Sequence, residues 1–170
     1  AAMKGFDASR IGNLAPTAMA GFQPDQIAAM DPKAMKGFQG DQFAELPPEA
    51  MAGFDARRFG ALPPDAMAGF RPDQIAAMDP NAMKGFGGDQ FAELPPEAMG
   101  GFDKKRLGAL PPEAMAGFRP DQMRELDPAA MKGFDASRIG NLAPTAMAGF
   151  QPDQIAAMDP NAMKGFGGDQ

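Results

Sequence analysis

Arg71-Pro72-Asp73-Gln74-Ile75-Ala76-Ala77-Met78-Asp79-Pro80-Asn81-Ala82-Met83-Lys84-Gly85-Phe86 contains, in two octads, the unit from which the chain is built. Each octad opens with a helix-start signal. In the second, Asp79 offers an N-cap acceptor and Pro80 takes the first helical position, where a missing N–H is no loss; Asp31-Pro32, Asp127-Pro128 and Asp159-Pro160 repeat the arrangement. In the first, Asp73 falls in the first turn and meets the positive end of the helix dipole, as Glu49 does after Pro48. A new proline or Gly-Gly arrives eight residues later, and an interior proline costs about 3 kcal/mol, so each helix is predicted to run for one or two turns only.

The apolar spacing distinguishes helix from strand. Met51 and Phe54 are three apart, Phe59 and Leu62 are three apart, and strict alternation is missing. The absence of valine and tyrosine and the abundance of Ala, Met, Leu, Gln and Glu favour helix as well. The expected fold is an all-α solenoid of 16-residue coils, each two very short helices separated by Pro/Gly turns; a β-solenoid, which a coil of that length would also suit, is the alternative. Helices of five or six residues are far below the ~12–15 needed for marginal stability alone, so their order must come from neighbours in an array.

Outward from this unit, Ala-Met-x-Gly-Phe returns every 16 residues without insertion or deletion, its Phe falling at positions from Phe6 through Phe86 to Phe166. Such strictness indicates stacking of equivalent units. Residues 23–70 and 71–118 agree at 40 of 48 positions, 119–150 form a shortened 32-residue version, and the series restarts at Gln151. Residues 1–42 recur as 129–170 with only Lys33/Asn161 and Gln39/Gly167 differing, which implies recent duplication or deliberate construction. The chain therefore reads as one array over 1–170. It begins inside one octad at Ala1-Ala2-Met3 and stops inside another at Gly168-Asp169-Gln170 with no capping repeat, so stacking end to end or continuation in a longer chain is expected. Ten-odd coils at the spacing of packed helices predict a rod roughly 80–105 Å long.

The glycine before every repeat phenylalanine, from Gly5 through Gly85 to Gly165, weakens a helix and must be required by something else. Close approach of a neighbouring helix is the expected reason, because Ala takes the matching place in Ile75-Ala76-Ala77-Met78; positive φ ahead of the turn is the other.

Composition removes most chemistry. With no Cys and no His among 170 residues, thiolate and imidazole ligands, cysteine nucleophiles and histidine acid–base catalysis are absent. A net charge of -6 gives no footprint for a phosphate backbone, so nucleic acid is not expected as a partner. No apolar run approaches the ~18 residues of a membrane span. Arg57-Arg58 and Lys104-Lys105-Arg106 are the two basic clusters, each beside an aspartate, Asp55 or Asp103, and are read as mixed-charge faces or anion sites. Fourteen Phe and fifteen Met are read as dry core, against a surface aromatic ladder or copper(I) thioether sites. Gly87-Gly88-Asp89-Gln90 is weighed as a calcium turn, but lacks the full nonapeptide pattern. Ser9, Ser137, Thr17 and Thr145 are the only aliphatic hydroxyls, and the carboxylates recur along the array instead of converging. No catalytic, cofactor-binding or metal site is therefore expected, no cofactor or small-molecule substrate, and no enzyme activity.

Arg71-Pro-Asp-Gln-Ile-Ala-Ala-Met78 and Pro111-Pro-Glu-Ala-Met-Ala-Gly-Phe118 resemble the short-helix octapeptide arrays of very large bacterial surface and secreted proteins. The resemblance covers essentially the whole chain. It implies a stalk, spacer or fibre-forming segment of an adhesin-like polypeptide at the cell surface or outside the cell, and no catalytic residue is carried over from it. The alternatives are a protein-binding platform, using variable polar positions such as Gln23/Arg71 and Ala56/Lys104, and an engineered repeat without natural function.

Overall fold

The computed structural model describes residues 2–170; Ala1, where the first octad is entered, lies outside them. Every regular element among the described residues is a helix and none is a strand, so the architecture is the all-α solenoid and not its β alternative. Helices of two kinds alternate. The Ala-Met-x-Gly-Phe octads form 3₁₀ helices, such as Pro32–Gly37 and Pro80–Gly85, and the octads between them form single turns of α-helix, such as Gly40–Ala44 and Pro72–Ala77. In a 3₁₀ helix residues three apart eclipse, which aligns Ala34 with Gly37 and Met35 with Phe38 in two rows. The Asp-Pro starts behave as read: Asp79 accepts the Asn81 N–H at 2.8 Å.

The turn of the solenoid is longer than the chemical repeat. All substantial packing between helices joins octads three apart: Ala8–Gly12 lies under Pro32–Gly37, which lies under Ala56–Gly60, and so on. One turn therefore takes 24 residues and three helices, where the sequence suggests 16 and two. The reason lies at the corners. Octads meet at extended residues, such as Phe38 (φ -68°, ψ 138°) and Gln39 (φ -113°, ψ 161°), which open a corner instead of reversing the chain. Three such corners bring it round. At about 8–10 Å per turn the seven turns span roughly 55–70 Å, shorter than the 16-residue coil predicts.

The result is a rod with three sides. Side one starts with octad 7–14, side two with 15–22 and side three with 23–30, each continuing in steps of 24 and each alternating α and 3₁₀ helices. A 16-residue alternation on a 24-residue turn repeats only after 48 residues, or two turns. This accounts for the agreement of 23–70 with 71–118.

Inside runs one continuous apolar core of Met, Phe, Ile, Leu and Ala. Ten phenylalanines from Phe38 to Phe134 form a connected network with ring centroids 4.2–6.4 Å apart. Offset and tilted contacts of this kind add to the burial of the rings themselves. The repeat methionines Met35, Met51, Met67, Met83, Met99, Met115 and Met131 are fully buried among them.

The glycines explain how closely the turns stack. A Cβ on Gly37 would overlap the Ala8 carbonyl, one on Gly85 the Ala56 carbonyl, and one on Gly117 the Gly88 carbonyl, each inside the 3.0 Å that real Cβ atoms respect. The same holds from Gly37 to Gly165, always against the residue 29 earlier. No glycine among the described residues has positive φ, so close approach is the reason for it and left-handed backbone is not.

Candidate functional site

Backbone hydrogen bonds among the described residues stay within an octad and its corner. Polar contact from turn to turn is made by side chains, and one position dominates: the fourth residue of every α octad is Gln or Arg. Gln74 is representative. Its Nε2 donates to the Phe43 oxygen at 2.8 Å and the Leu46 oxygen at 2.9 Å on the turn below, while its Oε1 accepts the Arg71 N–H at 2.9 Å. Gln42, Gln90, Gln122 and Gln154 do the same, all buried. Each carboxamide thus fastens a corner, capping a helix end below and a helix start on its own turn. A buried carbonyl left without a donor costs ~1–3 kcal/mol, and none of the described buried side-chain polar atoms lacks a partner.

Where Asp stands at the N-cap, Arg takes the Gln position. Arg58 donates from Nε to the Met30 oxygen at 2.9 Å and from Nη1 to Asp55 at 2.6 Å; Arg106 and Arg138 repeat this with Met78 and Asp103, and with Leu110 and Asp135. These arginine side chains are only 15–19% exposed. The basic clusters are therefore split. Arg58 and Arg106 are structural, and Arg57, Lys104 and Lys105 are exposed. Sequence reading passed over this column of Gln and Arg, although its signal, a multi-donor side chain in every second octad, is there to be seen.

The variable position Gln23/Arg71 is also partly structural. Arg71 donates to the Ala44 and Leu46 oxygens below and pairs with Asp73 at 3.1 Å; Arg119 does likewise with Ala92, Leu94 and Asp121. The guanidinium hydrogen bond holds the Asp73 and Asp121 carboxyls below the ordinary aspartate value, against a smaller opposing effect of burial. A carboxyl lowered in the folded state adds stability above pH 3.8 that disappears as pH falls through its folded value. Exchanging Arg71 and Arg119 for Gln should cost less than about 1 kcal/mol per pair at neutral pH, since the pairs are half exposed. In melting curves of native and variant protein, the gap should narrow as pH falls below 3.8, to what the loss of the carbonyl contacts leaves; a gap of constant size from neutral pH into acid would refute this account.

The other candidates fall into the architecture. Gly88-Asp89-Gln90 opens the α-helix Gly88–Ala92, with Asp89 accepting the Gln90 N–H at 2.9 Å, and is no calcium loop. The phenylalanines of the network are buried and form no surface ladder. Ser9 and Ser137 are exposed on different sides of the rod. Among the described residues no three Asp or Glu converge in a way that would hold a metal ion.

A groove of about 1120 Å³ is lined by Lys104, Lys105, Lys132 and Arg138 together with Asp135 and Asp159. Its lining has four cations and two carboxylates, and no hydroxyl side chain. A groove of about 600 Å³ sits at the equivalent place 96 residues earlier, where Ala8, Ser9 and Lys36 line it. Two further grooves, of 410 and 370 Å³, are equivalents 48 residues apart. Each groove is an instance of the repeat and not a unique cleft. No protein family and no curated protein matches this sequence. Among the described residues no helix is long and apolar enough to cross a membrane.

Proposed function

We propose that this chain is a non-catalytic structural segment of a long extracellular or cell-surface fibre, whose turns add end to end. What supports the reading is uniformity: the same core, corner carboxamides and glycine contacts recur on successive turns, and the grooves recur with them. At the last turn, Ile155 is 44% exposed and Met163 37%, whereas their equivalents Ile75 and Met83, covered by a further turn, are 0% exposed. Electron microscopy of native-length material tests the reading. Continuous thin filaments, rising by about one helix diameter per 24 residues, are expected; compact particles alone would overturn the proposal.

The second reading is a protein-binding platform, favoured by the exposed Lys104, Lys105 and Lys132 that line one groove. It predicts a saturable partner whose capture is lost on exchanging Arg57, Lys104 and Lys105 for Ser. Arg58 is left in place because it holds the fold.

A further inference from the structure

The three-sided turn sorts charge in a way that the linear sequence hides. By octad register, side one carries ten basic and seven acidic residues, side two carries two and eight, and side three carries four and seven. Six of the seven acids on side one are N-caps tied to backbone N–H groups, three of them also to arginine. Between 31 and 134, by contrast, Lys33, Lys36, Arg57, Lys84, Lys104, Lys105 and Lys132 of the same side are exposed. Side two from 15 to 118 has no basic residue, and Asp41, Glu45, Asp65, Asp89, Glu93 and Glu113 are exposed along it.

We propose that the basic side of one rod docks along the acidic side of a second copy. Both stripes are set by the same 48-residue period: Lys36, Lys84 and Lys132 recur every two turns, and so do Glu45 and Glu93, and Asp65 and Glu113. Their axial spacings, roughly 16–20 Å at one helix diameter per turn, are therefore equal by construction, and one good contact brings the others into register. The net charge of -6 repels at long range, while the matched stripes attract at contact. The Debye length is ~30 Å at 0.01 M salt and ~10 Å at 0.1 M, so intermediate salt screens the repulsion before the contact. The docking surfaces differ, so a dimer still presents one free basic side and one free acidic side, and association extends beyond it. This lateral contact is independent of the end-to-end contact proposed above, which is apolar.

Sedimentation velocity of the 170-residue chain tests it. The weight-average sedimentation coefficient should rise with concentration at ~0.1 M salt and fall at ~1 M, where the Debye length is ~3 Å, to the value that end-to-end contact alone gives. End-to-end contact alone would survive high salt. The variant Lys36→Glu, Lys84→Glu, Lys132→Glu and the variant Glu45→Lys, Glu93→Lys, Glu113→Lys should each lose the salt-sensitive association, because every substituted side chain is exposed and the fold is kept, as circular dichroism would verify. Mixing the two should restore it, since each then presents the charge the other lacks. A native chain that stays monomeric at ~0.1 M salt, or an association that neither reversal weakens, would overturn the proposal. So would charge-reversal variants that fail to reassociate on mixing.

Discussion

Gly85→Ala is expected to destabilise the rod by about 3 kcal/mol, the upper part of the usual overpacking range, because the added methyl overlaps the Ala56 carbonyl and backbone is what must move. The gain in helix propensity, about 0.5–1 kcal/mol, offsets little of it. For a chain of this size that is a fall in Tm of roughly 6–12 °C. Gly69→Ala and Gly117→Ala meet the Gly40 and Gly88 carbonyls in the same way. The sites share no contact, so their effects should nearly add, and the triple variant should lose about 9 kcal/mol, enough to unfold a protein of ordinary stability. Circular dichroism and melting read the outcome directly. The control is built into the chain. A Cβ on Gly5 or Gly21 meets nothing within 4 Å, so Gly21→Ala should leave Tm unchanged or raise it slightly. Equal losses at Gly21 and Gly85 would show that the glycines matter for their conformation and not for close approach.

Gln90→Glu should cost about 3–5 kcal/mol at neutral pH, the penalty for a buried charge without a partner. The substitution is nearly isosteric, but it removes the two N–H groups that serve the Phe59 oxygen at 3.1 Å and the Leu62 oxygen at 2.8 Å, and sets a carboxylate against both. Burial and the two facing carbonyls raise the folded pKa of the new carboxyl above its unfolded value of about 4.3. The penalty is therefore full well above the raised value and shrinks as pH falls through it. In acid one O–H donor returns and one carbonyl stays unpaired, leaving a residual loss of about 1 kcal/mol. At Gln74 and Gln122 the same change should be milder, since the Arg71 and Arg119 guanidinium groups already reach the Leu46 and Leu94 carbonyls beside the site. Thermal melts from acid to neutral pH would compare them. A Gln90→Glu protein as stable as native at neutral pH would mean that the carboxamide does not fasten the corner.

Much of this could be read from local chemistry. Asp79-Pro80 marks a helix start, the proline or glycine eight residues on marks its end, and Gly85 demands a neighbour without room for a side chain; each statement needs only residues close in sequence. What the sequence hid was how many octads close a turn. That number depends on the angle at corners such as Phe38-Gln39, and no residue there differs in kind between a three-cornered turn and a hairpin. Everything that rests on it was hidden with it: the pairing of Gln42 with Ile11 and Leu14, 31 and 28 residues away, the burial of Arg58, and the segregation of lysine from glutamate onto separate sides.

The 32-residue block 119–150 has a geometric meaning. The 48-residue blocks close two whole turns and return each octad type to its own side, but the short block makes the recurrence of 1–42 as 129–170 a shift of 128, eight more than five turns. The octad 7–14 lies on side one, and its copy 135–142 lies on side two. The copied chemistry has thus been turned by a third of a revolution. An array grown by repeated duplication of this unit would carry its basic and acidic stripes as slow spirals, like the colours of a barber's pole, so that neighbouring rods would have to coil about one another, as strands do in rope, to keep the stripes matched.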